Sequence, residues 1–282
     1  MKNQEIAQLF FEEFLGEKAT AFLALPQSGS ARMNFIGKSS NETYVITYNE
    51  NLLENEAFFY FTQVFSDLKL NTPQIFKINE ERKLYIQEFL GEKTLSEIIT
   101  LEGESERVKS LVKQTLKHLF ELQEKTQNKI DFSKTFEYEK YDELPITHDL
   151  YYFKNYLIDI LELPYHKSTL LKEFKKIVQK IENLAPKSLM IRDFQARNIL
   201  VNDKDEVFFI DYQAAMEGPA LYDVVSFLFQ AKANFSENFK NEMLEYYFSF
   251  HPSEQRNELE KSLKYCKMIR FIQVLGAYGF RG

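Results

Sequence analysis

Met190-Ile191-Arg192-Asp193-Phe194-Gln195-Ala196-Arg197-Asn198-Ile199-Leu200-Val201, the turn Asn202-Asp203-Lys204-Asp205, and then Glu206-Val207-Phe208-Phe209-Ile210-Asp211 form the stretch from which the rest of the chain is read. Two short apolar runs, Ile199–Val201 and Val207–Ile210, flank a polar turn, which predicts a β-hairpin. In such a hairpin Asn198 enters one strand and Asp211 leaves the other, so both lie at the same open end. Asp193 sits in the loop just upstream. Three oxygen-bearing side chains therefore converge on one point.

Phosphoryl transfer needs such a cluster. One carboxylate accepts the proton of an attacking hydroxyl, while a second carboxylate and an amide oxygen hold magnesium, which takes hard oxygen ligands. The spacing from Asp193 to Asn198, followed by a hairpin-borne Asp211, matches the kinase pattern H-R-D-x-x-x-x-N with its later metal-binding Asp. Here the sequence resembles the aminoglycoside phosphotransferase / choline kinase-like family of the protein-kinase-like fold. Within that family it is most similar to the bacterial kinases that phosphorylate the anomeric hydroxyl of N-acetylmuramate and N-acetylglucosamine. The resemblance is carried by RDFQARNILV (192–201), IDYQAAMEGPALYDVVSFL (210–228) and LGAYGFRG (275–282). It is strong after Met190 and weak before Leu90.

The resemblance implies an ATP- and Mg2+-dependent phosphotransferase acting on a hydroxyl of a small molecule, with a sugar or amino sugar as leading acceptor. It makes Asp193 the catalytic base and Asn198 and Asp211 the magnesium ligands. It places Gln195, Arg197 and Gln213 near the site and has Asp223 brace the catalytic loop. Aminoglycoside- or choline-type acceptors are the alternative within the family. A degenerate kinase fold that binds nucleotide or a partner without catalysis is the alternative of another class, and the intact Asp193, Asn198 and Asp211 oppose it.

The chain departs from the kinase pattern in several places. Ile191 stands where His precedes Arg-Asp. No G-x-G-x-x-G is present; the candidate phosphate loop is Gln27-Ser28-Gly29-Ser30-Ala31-Arg32, with Ser28, Gly29, Ser30 and Arg32 as nucleotide-binding candidates whose backbone N–H groups can cradle phosphate. The strand Tyr44–Tyr48 carries no Lys, so Arg32 or Lys38 is the candidate for the missing positive charge, with Glu56 as its partner. Ile86–Gly91 reads as the hinge between lobes, with Gln87, Glu88 and Phe89 set around adenine. An ordinary hairpin turn and a solvated charged surface are the bland alternatives for these N-terminal features.

Working outward, strand-like runs and one helix precede residue 90, and helices with one embedded hairpin follow it. That order predicts an α+β, two-lobed protein-kinase-like fold, with a small β-rich N-terminal nucleotide-binding lobe over 1–90 and a larger, mainly helical catalytic and acceptor-binding lobe over 91–282. The periodicity predicts helices over 3–16, 54–65, 95–99, 106–123, 148–163, 168–184, 222–232, 236–249 and 254–275, and a loop over 128–147 containing Pro145. The segment 137–166, rich in Tyr, Asp and Glu, is the expected acceptor side. The ending LGAYGFRG stops in mid-motif, which suggests that the chain continues beyond Gly282.

Composition bounds the rest. The 282 residues are 44% hydrophobic and 27% charged, an ordinary globular balance. A net charge of −7 argues against a nucleic-acid partner. No apolar stretch is long enough for a membrane span. The single cysteine, Cys266, forms no internal disulfide and suggests a cytoplasmic protein.

Overall fold

The computed structural model describes residues 2–26 and 31–281. The candidate phosphate-loop residues Gln27, Ser28, Gly29 and Ser30 lie outside the described residues, as do Met1 and Gly282.

The chain opens with helix α1 (Lys2–Leu15) and strands β1 (Ala21–Ala24), β2 (Met33–Lys38) and β3 (Thr43–Tyr48). Helix α2 (Leu52–Asp67) and strands β4 (Ile75–Ile78) and β5 (Leu84–Glu88) follow. The strands form one five-stranded antiparallel sheet in the order β1-β2-β3-β5-β4. Strand side chains alternate between faces. Phe35, Ile46, Leu84 and Ile86 therefore share one face, which α1 covers with Ala7, Phe10 and Phe11. A Cβ on Gly37 would lie 2.4 Å from the Phe11 ring, so the absence of a side chain there lets α1 dock. The opposite face presents Asn34, Val45, Thr47, Tyr85 and Gln87. Tyr85 on this face meets Phe58 and Phe59 of α2 at ring distances of 5.2 and 5.1 Å.

Helix α2 binds the sheet to the rest of the molecule. Its Phe58 and Phe65 pack on Tyr212 at 5.2 and 5.0 Å, and its Thr62 hydroxyl lies 2.7 Å from the Tyr212 hydroxyl. One continuous apolar core runs from α2 through the remaining helices.

Beyond residue 90 come β6 (Lys93–Thr94), α3 (Leu95–Glu102), α4 (Glu106–Lys125), α5 (Glu143–Phe153) and α6 (Lys167–Ile181). Next are β7 (Lys187–Met190), β8 (Ile199–Val201), β9 (Val207–Phe209) and β10 (Met216–Pro219), and then α7 (Leu221–Leu228), α8 (Glu237–Phe248) and α9 (Ser253–Arg281). Thr94 and Glu97 form a reciprocal capping box at the start of α3. The order of elements is the α+β order expected from the sequence.

Four local expectations are corrected. Helix α5 begins at Glu143, inside the expected loop; Asp142 caps it, and Pro145 sits in the first turn, where its missing N–H has no intrahelical partner to lose. After Phe153 the helix widens into one π turn over Lys154–Ile158, so the expected helix over 148–163 is interrupted. Strands β6 and β10 are too short to carry a periodic signal, and both arise from pairing with distant segments. Helix α9 continues past residue 275 through Gly276 and Gly279.

Candidate active site

Two small sheets frame the site. Strands β7 and β10 pair antiparallel, with Met190 opposite Met216. Strands β8 and β9 pair antiparallel, with Ile199 opposite Phe209. Residues 191–198 and 210–215 are thus two loops that join the same two sheets side by side, running in opposite directions. The Ile210 N–H donates to the Asn198 carbonyl at 3.1 Å and closes the ring.

Within the ring, Asn198 joins the other two expected residues. Its Nδ2 donates to the Asp193 carbonyl at 2.9 Å and to Asp211 Oδ2 at 3.2 Å. Both amide hydrogens are thereby used, which leaves its carbonyl oxygen as the acceptor. Gln213 Nε2 donates to Asp211 Oδ1 at 3.0 Å, and the Arg32 guanidinium reaches the same oxygen at 2.5 Å across 179 residues of sequence. Burial raises the Asp211 pKa, but the Arg32 charge, the hydrogen bonds from Gln213 and Arg32 and the charge of Arg197 outweigh it. The carboxyl is held below the usual carboxylate range.

The backbone here is unusual. Arg192 and Asp211 both adopt left-handed conformations, at φ 72° and 65°. For a non-glycine residue this costs of order 1–3 kcal/mol and persists only where the surroundings over-determine it. Asp223, in the first turn of α7, supplies that constraint for the first loop. Fully buried, it accepts the Ile191 N–H at 2.6 Å and the Arg192 N–H at 3.0 Å. Burial pushes its carboxyl up to about 7, against the lowering by those two hydrogen bonds.

The Arg192 side chain turns the other way. It reaches Asp149 of α5 at 3.2 Å and Glu137 at 3.3 Å and lies over the Tyr138 ring. Asp149 in turn accepts the buried Tyr141 hydroxyl at 2.7 Å. The loop over 191–198 is therefore fastened to the segment expected to face the acceptor. In that segment Tyr152 and Tyr156 lie 4.5 Å apart, and both meet Phe280 of α9, at 6.0 and 5.0 Å. His148 lies beside the Tyr152 ring, and His166 sits at the N-terminus of α6.

The remaining expected residues fall as follows. The Gln195 backbone carbonyl accepts the Asn198 N–H at 2.8 Å, and Arg197 is exposed beside the ring. Gln87 points to the face of the sheet opposite α1 and donates to Thr47 Oγ1 at 3.2 Å. Glu88 points to the α1 side and accepts the Gln74 N–H at 3.2 Å; Phe89 follows the end of β5. Lys38 ends β2, about 20 Å along the strand from Arg32 at a rise of about 3.3 Å per residue. Glu56 does not face Arg32: it pairs with Arg82 on the surface, and Glu54 instead lies 3.4 Å from Arg32 Nε. Sequence reading passed over Glu54, the Asp149–Arg192 pair and the buried Arg270 of α9. Of these, Glu54 had a local signal, standing three residues after the helix-capping Asn51.

The donor set suits a hard divalent cation. Asp211 is held ionised, Asn198 keeps its carbonyl oxygen, and Gln213 Oε1 beside them is buried with no hydrogen-bond partner among the described residues. Among the described residues no group of three His, Cys, Asp or Glu side chains forms an all-protein metal cage, and no helix is long and apolar enough to cross a membrane.

A family model for the phosphotransferase enzyme family matches residues 25–257. The chain belongs to the phosphotransferase enzyme family. No curated protein matches. Solved structures similar to this phosphotransferase include the choline kinase LicA from Streptococcus pneumoniae, with a TM-score of 0.64 at 12% identity over 100% of this chain and 97% of that one. The gentamicin complex of APH(2″)-IIa aligns with a TM-score of 0.62 at 18% identity, over 97% and 95% of the two chains. An ethanolamine kinase from Plasmodium vivax aligns with a TM-score of 0.58 at 16% identity, over 90% and 74%. Other similar structures are complexes with AMP or ADP. The expected two-lobed kinase fold and the expected phosphotransferase class both hold.

Proposed function

We propose that this phosphotransferase is an ATP-dependent small-molecule kinase that moves the terminal phosphoryl group to an acceptor hydroxyl, with a sugar or amino sugar as the acceptor. The observation that carries the proposal is the closed ring in which one amide, Asn198, donates to the backbone carbonyl of Asp193 and to the carboxylate of Asp211. In this reading residues 1–90 form the nucleotide lobe, with adenine near Gln87–Phe89, and residues 91–282 form the catalytic and acceptor lobe.

Asp193 accepts the proton as the acceptor oxygen bonds to the terminal phosphorus and the bridging oxygen departs with the nucleoside diphosphate. Asn198 and Asp211 are the residues that would hold Mg2+, which supplies charge neutralisation to the phosphate oxygens. Asp223 keeps the loop in the left-handed turn that presents Asp193.

A neutral sugar suits the acceptor side better than a cation does. The carboxylates of Asp149 and Glu137 are already matched by Arg192, while the rings of Tyr152, Tyr156 and Phe280 offer flat apolar surface. The anomeric hydroxyl of an N-acetyl sugar is the position proposed from the sequence resemblance. A quaternary amine on the same rings is the second reading, favoured by cation–π attraction.

The test is nucleoside-diphosphate release with Mg-ATP over free sugars, N-acetyl sugars, choline, ethanolamine and aminoglycosides, beside Asp193→Asn. Turnover on a sugar, reduced about a hundredfold or more in the variant, is expected. Turnover that survives Asp193→Asn sinks the assigned base. Nucleotide binding without turnover on any acceptor supports a binding module instead.

A further inference from the structure

If the chain is a kinase as proposed above, its triphosphate meets a cation that is not on the strand where kinases carry it. We propose that this cation is Arg32, delivered from the head of β2, and that Glu54 is the residue that positions it.

The usual strand has no room for a lysine. The candidate position on β3 that faces away from α1 is Thr47, which is fully buried. Its hydroxyl donates to Asn34 Oδ1 at 2.8 Å and accepts Gln87 Nε2 at 3.2 Å, stitching three strands together. The other residues of β3 on that face are Thr43 and Val45, and neither carries a charge. Lys38, at the far end of β2, is too distant to serve.

Arg32 already lies in the catalytic ring. Its side chain is only 15% exposed, and its guanidinium holds Asp211 at 2.5 Å, so it stands beside the carboxylate assigned to the metal. The Arg32 guanidinium also interacts with the Tyr85 hydroxyl. Arginine presents five donors in a planar fork, so it can serve a carboxylate and a phosphate together, which a lysine does less well.

Glu54 is equally fixed. Its side chain is 14% exposed and lies 3.4 Å from Arg32 Nε. Asn49 Nδ2 donates to its other oxygen at 2.8 Å. Asn49 is itself locked to the buried Asn55, whose amide donates to the Asn49 and Arg82 carbonyls. The Glu54 N–H is bound by the capping Asn51 at 3.3 Å. A carboxylate held by a buried asparagine pair at the first turn of α2 is a positioning device rather than a surface charge. Glu56, two residues on, makes its pair with Arg82 in solvent.

The test is calorimetric titration of Mg-ATP into the full chain without acceptor, for the wild type, Arg32→Ala, Arg32→Lys, Glu54→Gln, the Arg32→Ala/Glu54→Gln double variant and Glu56→Gln. Arg32→Ala is expected to weaken binding about ten- to hundredfold, the size of a lost charge-assisted contact, with Arg32→Lys in between. Glu54→Gln should weaken it several-fold in the wild-type background and hardly at all on top of Arg32→Ala, because it acts through that residue. Glu56→Gln should match the wild type. Turnover should show the loss in the Michaelis constant for ATP and not in that for the acceptor. If Arg32→Ala does not fold, Arg32→Lys carries the comparison. Binding unchanged in either Arg32 variant that folds, or an undiminished Glu54→Gln effect on top of Arg32→Ala, overturns the inference and leaves the kinase reading intact. A wild type that binds no nucleotide overturns both.

Discussion

The residues that shape the ring do so by holding backbone where it would not otherwise stay. Arg192 and Asp211 are left-handed without being glycine, and each is gripped: the first by the carboxylate of Asp223, the second by Asn198, Gln213 and Arg32. The Asp223 carboxyl carries a consequence for stability. Burial raises its folded value to about 7, well above the unfolded carboxylate. Between those two values the folded chain binds the extra proton, so this group's contribution to stability is full at low pH and falls as pH rises towards 7. The stability lost on Asp223→Asn should therefore shrink between pH 5 and 7, by at most about 1.4 kcal/mol per pH unit. Urea unfolding of both proteins at pH 5, 6, 7 and 8 measures it; a gap that widens with pH contradicts the assignment. Asp193, Asn198 and Asp211 were legible because a hairpin fixes the ends of its own strands, so spacing alone brings them together. Glu54 was not. Residues two apart on a helix point about 200° apart around its axis, and only packing shows which of Glu54 and Glu56 faces Arg32.

At the scale of elements, hydrophobic period located most helices and strands, because each buries one stripe or one face. It failed where an element exists only through its partner. Strands β6 and β10 are examples, and α9 is the clearest case. Gly276 and Gly279 read as breakers, yet the helix runs through both, because α5 and its π turn press against them. A Cβ on Gly279 would lie 1.9 Å from the Tyr156 carbonyl oxygen, and one on Gly276 would lie 3.0 Å from the Phe153 backbone. Local propensity favours alanine over glycine in a helix by about 1 kcal/mol, whereas forcing atoms into a closed contact costs about 1–3 kcal/mol or more. Gly279→Ala should accordingly lower the stability of the chain, and it should also disturb the Tyr152–Tyr156–Phe280 rings. Thermal unfolding and acceptor binding measure the two effects. A Gly279→Ala protein more stable than the wild type would mean that α9 is not seated as described.

The sheet and its helices are joined to the rest of the molecule by contacts of different character. Helix α2 shares an apolar core with Tyr212, and Arg32 reaches Asp211 by a charged hydrogen bond. The single cysteine reports on the packing of α9. Cys266 lies buried on α9, and burial pushes its thiol up to about 12. A thiolate is the reactive form, so Cys266 should not react with a thiol reagent at pH 8 until the fold opens. Its labelling midpoint in urea should coincide with the loss of helical signal, and rapid labelling in native buffer would show that α9 is not docked. By itself the sequence determined that Asp193, Asn198 and Asp211 fall together, the family resemblance and the order of elements, because those depend on residues near one another in the chain. Only the tertiary structure decided which cation meets Asp211, which glutamate holds that cation, and that α9 runs on through Gly276 and Gly279. Those outcomes depend on surfaces brought together across as many as 179 residues, where steric fit and burial outweigh local preference.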